Sequence, residues 1–277
     1  MPYKMIASDL DGTLFNKQGQ LSKENLQAIE EMQQMGVHFV PASGRSFEEM
    51  PENVRSCPYI RYYITSDGGT VYDKQTGHTF ELAMSRQVSN RVLDVLYRYP
   101  VNMMLHADTG SYVDIDYHTE ENYFRCNYSV NWKNFVFETN RPIPNFKQFA
   151  YSHEAVQQIC VFFQNYEDLL TCKDIFEKDH ELLVAQSNKN NLEIVSAKAG
   201  KGNALLYLAD ILGIDSRQTI AVGDSTNDFT MVQAAGLGLA MDNAVPELKS
   251  IADKIICNNE EHSARYVLNH FIKEKSL

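Results

Sequence analysis

The chain has 277 residues, of which 44% are hydrophobic and 22% charged. This is ordinary globular composition, at a length that allows two domains or one large one and a full core without staples. The formal net charge of −11, from 36 acidic against 25 basic residues, speaks against nucleic acid or an anionic membrane as the main partner, because both select basic patches. It leaves an anionic small molecule open, since a bound cation reverses the local field.

Met5–Ser8 is a short apolar run that stops at Asp9, the pattern of a buried strand. Ser22 is placed to cap a helix whose apolar stripe is Leu26, Ile29 and Met32, and Gly36 sits where a C-cap glycine belongs. Residues 37–40 form the next apolar run, ending at Pro41-Ala42-Ser43-Gly44. Strand, helix and strand at this spacing make a βαβ unit, hence a parallel sheet. From 83 to 186 the pattern changes. A helix over 86–98, strands over 103–106, 111–115 and Gln158–Phe163, and a second helix over 166–178 follow without strict alternation. Aromatics are dense there, from Tyr97 and Tyr99 through Tyr112, Tyr117, Tyr123, Phe124, Tyr128, Trp132, Phe135 and Phe137, and read more readily as core than as a ligand platform.

The far end returns to alternation. Residues 201–212 carry Leu205, Leu208 and Leu212 at helical spacing before Gly213. Residues 219–222 are a strand ending at Gly223-Asp224, 228–235 a short helix stopped by Gly236, and 237–241 another strand. The expected fold is therefore α/β: a core with a parallel sheet made from 1–82 and 190–277, and an inserted α+β domain over 83–189.

The five cysteines are scattered with no C-x-x-C pair, and no two histidines fall at H-E-x-x-H spacing. Residues 1–7 are too short and mixed for a signal peptide, and no apolar run approaches the roughly 20 residues that span a bilayer. A soluble, cytoplasmic protein with free thiols is the expectation. Gly236-Leu237-Gly238 lacks the third glycine of a dinucleotide loop and follows a helix, so it is set aside.

Polar signatures gather at the carboxyl ends of predicted strands, where open parallel sheets bind ligands. Asp9 and Asp11, two apart on an extended chain, project to one side and can divide nucleophilic and acid/base roles. Gly12 lets the chain turn away. Alone, D-x-D-G reads as a surface turn; directly after an apolar strand it does not. Were Asp224 and Asp228 to join Asp9 and Asp11, four carboxylates would repel one another unless a cation sat among them, and an all-oxygen set suits Mg²⁺. Asp224 could instead cap the helix near Asp228, a task Ser225 or Thr226 can do equally. Ser43, Asn227 and Lys201 are the residue types that surround a phosphoryl group. Lys198 competes with Lys201, but Lys201-Gly202 stands directly before a helix. Arg45 reads equally as a substrate contact or a surface residue.

Four motifs together resemble the haloacid dehalogenase superfamily, and within it the Cof-type (IIB) phosphatases: Asp9-Leu10-Asp11-Gly12-Thr13-Leu14; Ser43-Gly44-Arg45; Lys201-Gly202-Asn203-Ala204-Leu205, with Leu192-Glu193-Ile194 before it; and Gly223-Asp224-Ser225-Thr226-Asn227-Asp228. The tail Gly238-Leu239-Ala240-Met241-Asp242-Asn243-Ala244 also fits. The resemblance implies a Rossmann-like core, a C2B-type cap, and a Mg²⁺-dependent phosphatase acting on small phosphorylated metabolites such as sugar phosphates, as a monomer or weak homo-oligomer. It implies that Asp9 is the nucleophile and Asp11 the acid/base. Mg²⁺ would be held by Asp9, Asp11 through its carbonyl, Asp224 and Asp228. Leu10 and Gly44 through their backbones, with Ser43, Lys201 and Asn227, would hold the phosphate. Aspartate at position 11 fits hydrolases, where related ion pumps have threonine. One departure is Thr65-Ser66-Asp67-Gly68-Gly69, where relatives often carry T-x-N-G-A; the acidic Asp67 would disfavour highly anionic substrates. A sugar phosphomutase of the same fold, or a non-catalytic metabolite-binding protein, are the rival readings.

Overall fold

The computed structural model describes residues 2–126, 128 and 130–273, with the backbone alone for 130–132. The side chain of Trp132 thus lies outside the described residues. Two compact units emerge. Met1–Gly44, Met50–Phe80 and Gly200–Leu277 form one, and Arg45–Glu49 with Glu81–Ala199 form the other.

The first unit is built on a five-stranded parallel sheet in the order Lys254–Ile255, Leu237–Ala240, Thr219–Gly223, Met5–Ser8, His38–Pro41. Ile6 lies between Ile220 and Phe39, and Ser8 between Val222 and Pro41. Every residue of the three inner strands is buried, as continuous apolar runs in a sheet covered on both faces must be. A parallel bridge from Ala42 to Ile64 brings in Tyr62–Thr65, which heads a three-stranded sheet with Thr70–Asp73 and His78–Glu81.

The helix Lys23–Gln34 starts where Ser22 accepts from the Asn25 N–H at 3.1 Å. Its buried stripe differs from the expected one. Leu26 is 36% exposed, and Asn25, Ala28, Ile29 and Met32 face inward. A polar residue takes the inner position because its amide finds partners there, described below. The helix Lys201–Ile211 buries Ala204, Leu205, Leu208 and Ala209, as its spacing predicts.

The second unit is α+β. Its six-stranded sheet runs Leu182–Ala185, Asn191–Ser196, Gln158–Phe163, Val101–Ala107, Gly110–Asp114, Arg141–Ile143, antiparallel except for the last pair. Gln158–Phe163 is buried throughout. Its alternate residues feed two clusters: Ile159 and Val161 pack with Val92, Leu169 and Phe176 of the helices Arg86–Leu96 and Tyr166–Glu177, while Cys160 and Phe162 pack with Tyr123 and Val136. The dense aromatics divide: Tyr123 is fully buried, whereas Phe124 is 84% exposed.

Two expected boundaries move. Asn191–Ser196 is paired on both sides within the six-stranded sheet, so the first unit resumes at Gly200 rather than 190. Arg45–Glu49 packs with the second unit although it falls within 1–82. Glu49 explains this: its buried carboxylate accepts from the Ser46 N–H at 2.7 Å and the Asn140 amide at 2.9 Å, and lies 3.3 Å from His106 Nε2. Unsatisfied, that carboxylate would be costly to bury. All five cysteines are free thiols, four of them buried. Among the described residues, no helix is long and apolar enough to cross a membrane.

Candidate active site

The strand Met5–Ser8 delivers Asp9 to its carboxyl end, where the Asp9 N–H extends the ladder to Val222 O at 3.0 Å. Asp9 is 6% exposed, whereas Asp11, two residues on in extended backbone (φ −80°, ψ 114°), faces solvent. Gly12 follows at φ +85°, the left-handed region that glycine enters without strain. A side chain there would also collide, since a Cβ would lie 2.4 Å from Asp224 Oδ2.

The turn after Asp11 is held by four side chains. The carbonyls of Gly12, Thr13, Leu14 and Phe15 accept, in order, from Asn243 Nδ2 at 2.8 Å, Ser263 Oγ at 2.9 Å, Asn25 Nδ2 at 2.9 Å and Asn259 Nδ2 at 2.9 Å. Asn25 Oδ1 meanwhile accepts from the Ala264 N–H at 3.0 Å. Buried carbonyls without a helical or sheet partner need such donors. None of these four carried a signal at the sequence level beyond Asn243, which lies in the tail motif.

Lys201 enters from the first turn of its helix and is fully buried. Its ammonium donates to Asp9 Oδ1 and to Asp228 Oδ1, each at 2.7 Å. Gly202 makes this approach possible. A Cβ at Gly202 would lie 2.3 Å from Thr230 O, so its absence lets the helix settle against Phe229–Ala234. The competing Lys198 is exposed. Asp228 Oδ2 accepts from the Asp224 and Ser225 N–H groups at 2.9 and 3.1 Å, and Ser225 with Asp228 forms the reciprocal cap of the turn. Asp224 is thereby released from capping. Its Oδ1 accepts from Thr13 Oγ1 at 2.9 Å, a contact that motif spacing alone does not reveal.

On another side stands Asp67, 4% exposed, whose Oδ1 accepts from Asn227 Nδ2 at 3.0 Å. The Asp67 N–H donates to Ser43 O at 3.1 Å, and Ser43 N–H to Ile64 O at 3.0 Å. A Cβ on Gly44 would lie 3.2 Å from both Asp67 oxygens. The first unit thus gathers Asp9, Ser43, Gly44, Lys201, Asp224, Asn227 and Asp228. Leu10 is buried beside them, its carbonyl accepting from the Phe15 N–H at 2.9 Å. Arg45 instead belongs to the second unit, its guanidinium 4.2 Å above the Phe135 ring.

One carboxylate oxygen from each of Asp9, Asp224 and Asp228 lies within 4.8 Å of the others. Lys201 offsets one of the three charges. Burial pushes the Asp9 carboxyl well above its usual range, against the pull of Lys201, and Asp228 and Asp224 add to the rise. Burial and then Asp228 push Asp224 up to about 7. Burial opposes the charge on Lys201, but Asp228, Asp9 and Asp67 outweigh it and hold the ammonium protonated. A hard divalent cation among these oxygens would relieve both carboxylates, so the donor set fits Mg²⁺. The Asp11 side chain stands outside the trio, although its charge reaches Asp224.

Comparison with known proteins identifies the relatives of this chain. The sequence profile of the haloacid dehalogenase-like hydrolases matches residues 6–268. The phosphatase YwpJ of Bacillus subtilis is 29% identical, over 97% of this chain and 100% of its own. A second Bacillus subtilis protein, the 5-amino-6-(5-phospho-D-ribitylamino)uracil phosphatase YwtE, is 27% identical over 97% of this chain and 98% of its own. Among solved structures, a haloacid dehalogenase-like hydrolase from B. subtilis superposes with a TM-score of 0.80 at 28% identity, covering 96% of this chain and 99% of that one. With its carboxylates at the ends of a parallel sheet and its profile match running nearly end to end, the chain belongs to the haloacid dehalogenase-like hydrolase family.

Proposed function

We propose that this enzyme is a Mg²⁺-dependent phosphatase that hydrolyses small phosphorylated metabolites, sugar phosphates or similar, through an aspartyl-phosphate on Asp9. The observation that supports this most directly is the buried Lys201 ammonium, 2.7 Å from both Asp9 and Asp228, with Asp224 beside them. Asp9, Asp224 and Asp228, with the Asp11 carbonyl, would hold the cation. When bound, it neutralises the carboxylates and the phosphoryl oxygens, so that two anionic groups can approach.

In the first half-reaction an Asp9 oxygen forms a bond to phosphorus as the ester P–O bond breaks in line. The leaving oxygen takes a proton from Asp11, whose solvent-facing position suits exchange with water. In the second, Asp11 takes a proton from a water that attacks the aspartyl-phosphate, releasing inorganic phosphate and restoring Asp9. Lys201 counters the charge spread over the phosphoryl oxygens, with the Ser43 hydroxyl, the Asn227 amide and the Leu10 and Gly44 N–H groups as further donors.

The test is phosphate release from a panel of phosphorylated metabolites, with and without Mg²⁺. The panel would include sugar phosphates and the phosphoribitylamino-uracil named for YwtE. Acid quench during turnover should leave one phosphoryl group on Asp9 by mass spectrometry. Hydrolysis that survives Asp9→Asn, or isomerisation of a sugar phosphate in place of phosphate release, would defeat the reading.

A further inference from the structure

We propose that Asp67 is a positioning and charge-selecting residue: its carboxylate fixes the Asn227 amide beside the Ser43-Gly44 turn and weakens the pocket's hold on a phosphoryl dianion, so that product phosphate leaves readily. This inference rests on the phosphatase reading above.

Asp67 touches two of the turns that surround Asp9, Ser43-Gly44 and the one that carries Asn227. Its N–H donates to Ser43 O at 3.1 Å, and its Oδ1 accepts from Asn227 Nδ2 at 3.0 Å. Both oxygens face the Gly44 backbone, where an added Cβ would lie 3.2 Å from each. The next residue, Gly68, passes so close to Gly200 that a Cβ would lie 2.3 Å from its carbonyl oxygen. The Asp67 charge is also near enough to support the Lys201 ammonium.

The loop accepts a conformational cost to present this side chain. Ser66 and Asp67 stand at φ 51° and 50°, two successive non-glycine residues in the left-handed region. Geometry alone does not require a carboxylate, because an asparagine would accept the Asn227 hydrogen bond equally. What aspartate adds is a buried negative charge among the groups that would bind phosphoryl oxygens. It opposes a dianion in the bound substrate and in the product alike, so it acts on KM and on phosphate affinity more than on the chemical step.

The experiment compares the full chain with Asp67→Asn and Asp67→Ala, loaded with Mg²⁺, at low and high salt. Inorganic phosphate binding is measured by calorimetry, and KM and kcat with a generic phosphomonoester. D67N should bind phosphate about tenfold more tightly, with KM falling in parallel, and added salt should narrow the gap. D67A, which also frees the Asn227 amide, should lose kcat about tenfold relative to D67N. Phosphate affinity of D67N equal to or weaker than that of the parent would overturn the proposal. An unmodified chain that hydrolyses no phosphomonoester would instead sink the phosphatase reading, and the calorimetric comparison would still decide the role of the charge.

Discussion

Lys201 and Asp9 meet at 2.7 Å although 192 residues separate them in the chain. The ammonium is wholly buried and also holds Asp228. Truncating the lysine leaves buried carboxylates without their counter-charge, which typically costs about 3–5 kcal/mol. We predict that Lys201→Met lowers unfolding stability by about that much and phosphatase kcat by at least ~100-fold. Adding Asp228→Asn should recover part of the stability in urea unfolding and none of the activity. Recovery of both would mean that the ammonium serves the fold alone.

Asp224 would link cation binding to pH. Its carboxyl is pushed up to about 7 from 3.8 by burial and then by Asp228. Between those values the folded chain holds a proton that the unfolded chain has lost. Without divalent cation, this group's contribution to stability therefore falls as pH rises from about 4 to about 7. A cation binds the ionised form, so the Mg²⁺-induced rise in Tm should be larger at pH 8 than at pH 5.5, by about 5 °C. Thermal melts with EDTA or Mg²⁺ at both pH values test this, and equal increments would contradict it.

Arg61 and Asp73 form a forked pair at 3.0 and 2.8 Å. The Arg61 hydrogen bonds are the main reason that the Asp73 carboxyl is lowered to about 2. A depressed folded-state value means stabilisation that is complete above about 4 and lost as pH falls towards 2. Because the Arg61 side chain is 43% exposed, screening limits the pair to about 1 kcal/mol. Asp73→Asn should cost about that at pH 7 and much less at pH 2, where the carboxyl is already half protonated. A constant difference across that range would show that charge is not involved.

Asn25 joins the Leu14 carbonyl to the Ala264 N–H. Replacement by alanine leaves both buried groups without a partner, at a cost of about 2–4 kcal/mol. The loss should appear in chemical denaturation. A cost under about 0.5 kcal/mol, the size of an ordinary surface change, would mean that water replaces the amide.

The α/β core was legible because its strands are short apolar runs that end on polar motifs, and both features are local. The same runs located Asp9, Lys201, Asp224 and Asp228 at strand ends and a helix start, which the sheet order then draws together. What escaped depends on partners distant in sequence. Nothing around Glu49 announces Asn140, 91 residues on, and so nothing announces that Arg45–Glu49 leaves the first unit. Leu26 outranks Asn25 by hydrophobicity, yet Asn25 is the buried one, because its partner Ala264 lies 239 residues away. Asn191–Ser196 reads as a strand from either side, and only pairing assigns it to the second unit's sheet.

The four carbonyls from Gly12 to Phe15 take donors from positions 25, 243, 259 and 263. The mounting of Asp9 is therefore finished by stretches of polypeptide that leave the ribosome long after it. A nascent chain can form its first strand early, but the bend beyond Asp11 does not receive its last donor until Ser263 arrives. Completion of this bend is in this sense a late event of synthesis, and a chain cut short before that serine would leave the Thr13 carbonyl without its donor.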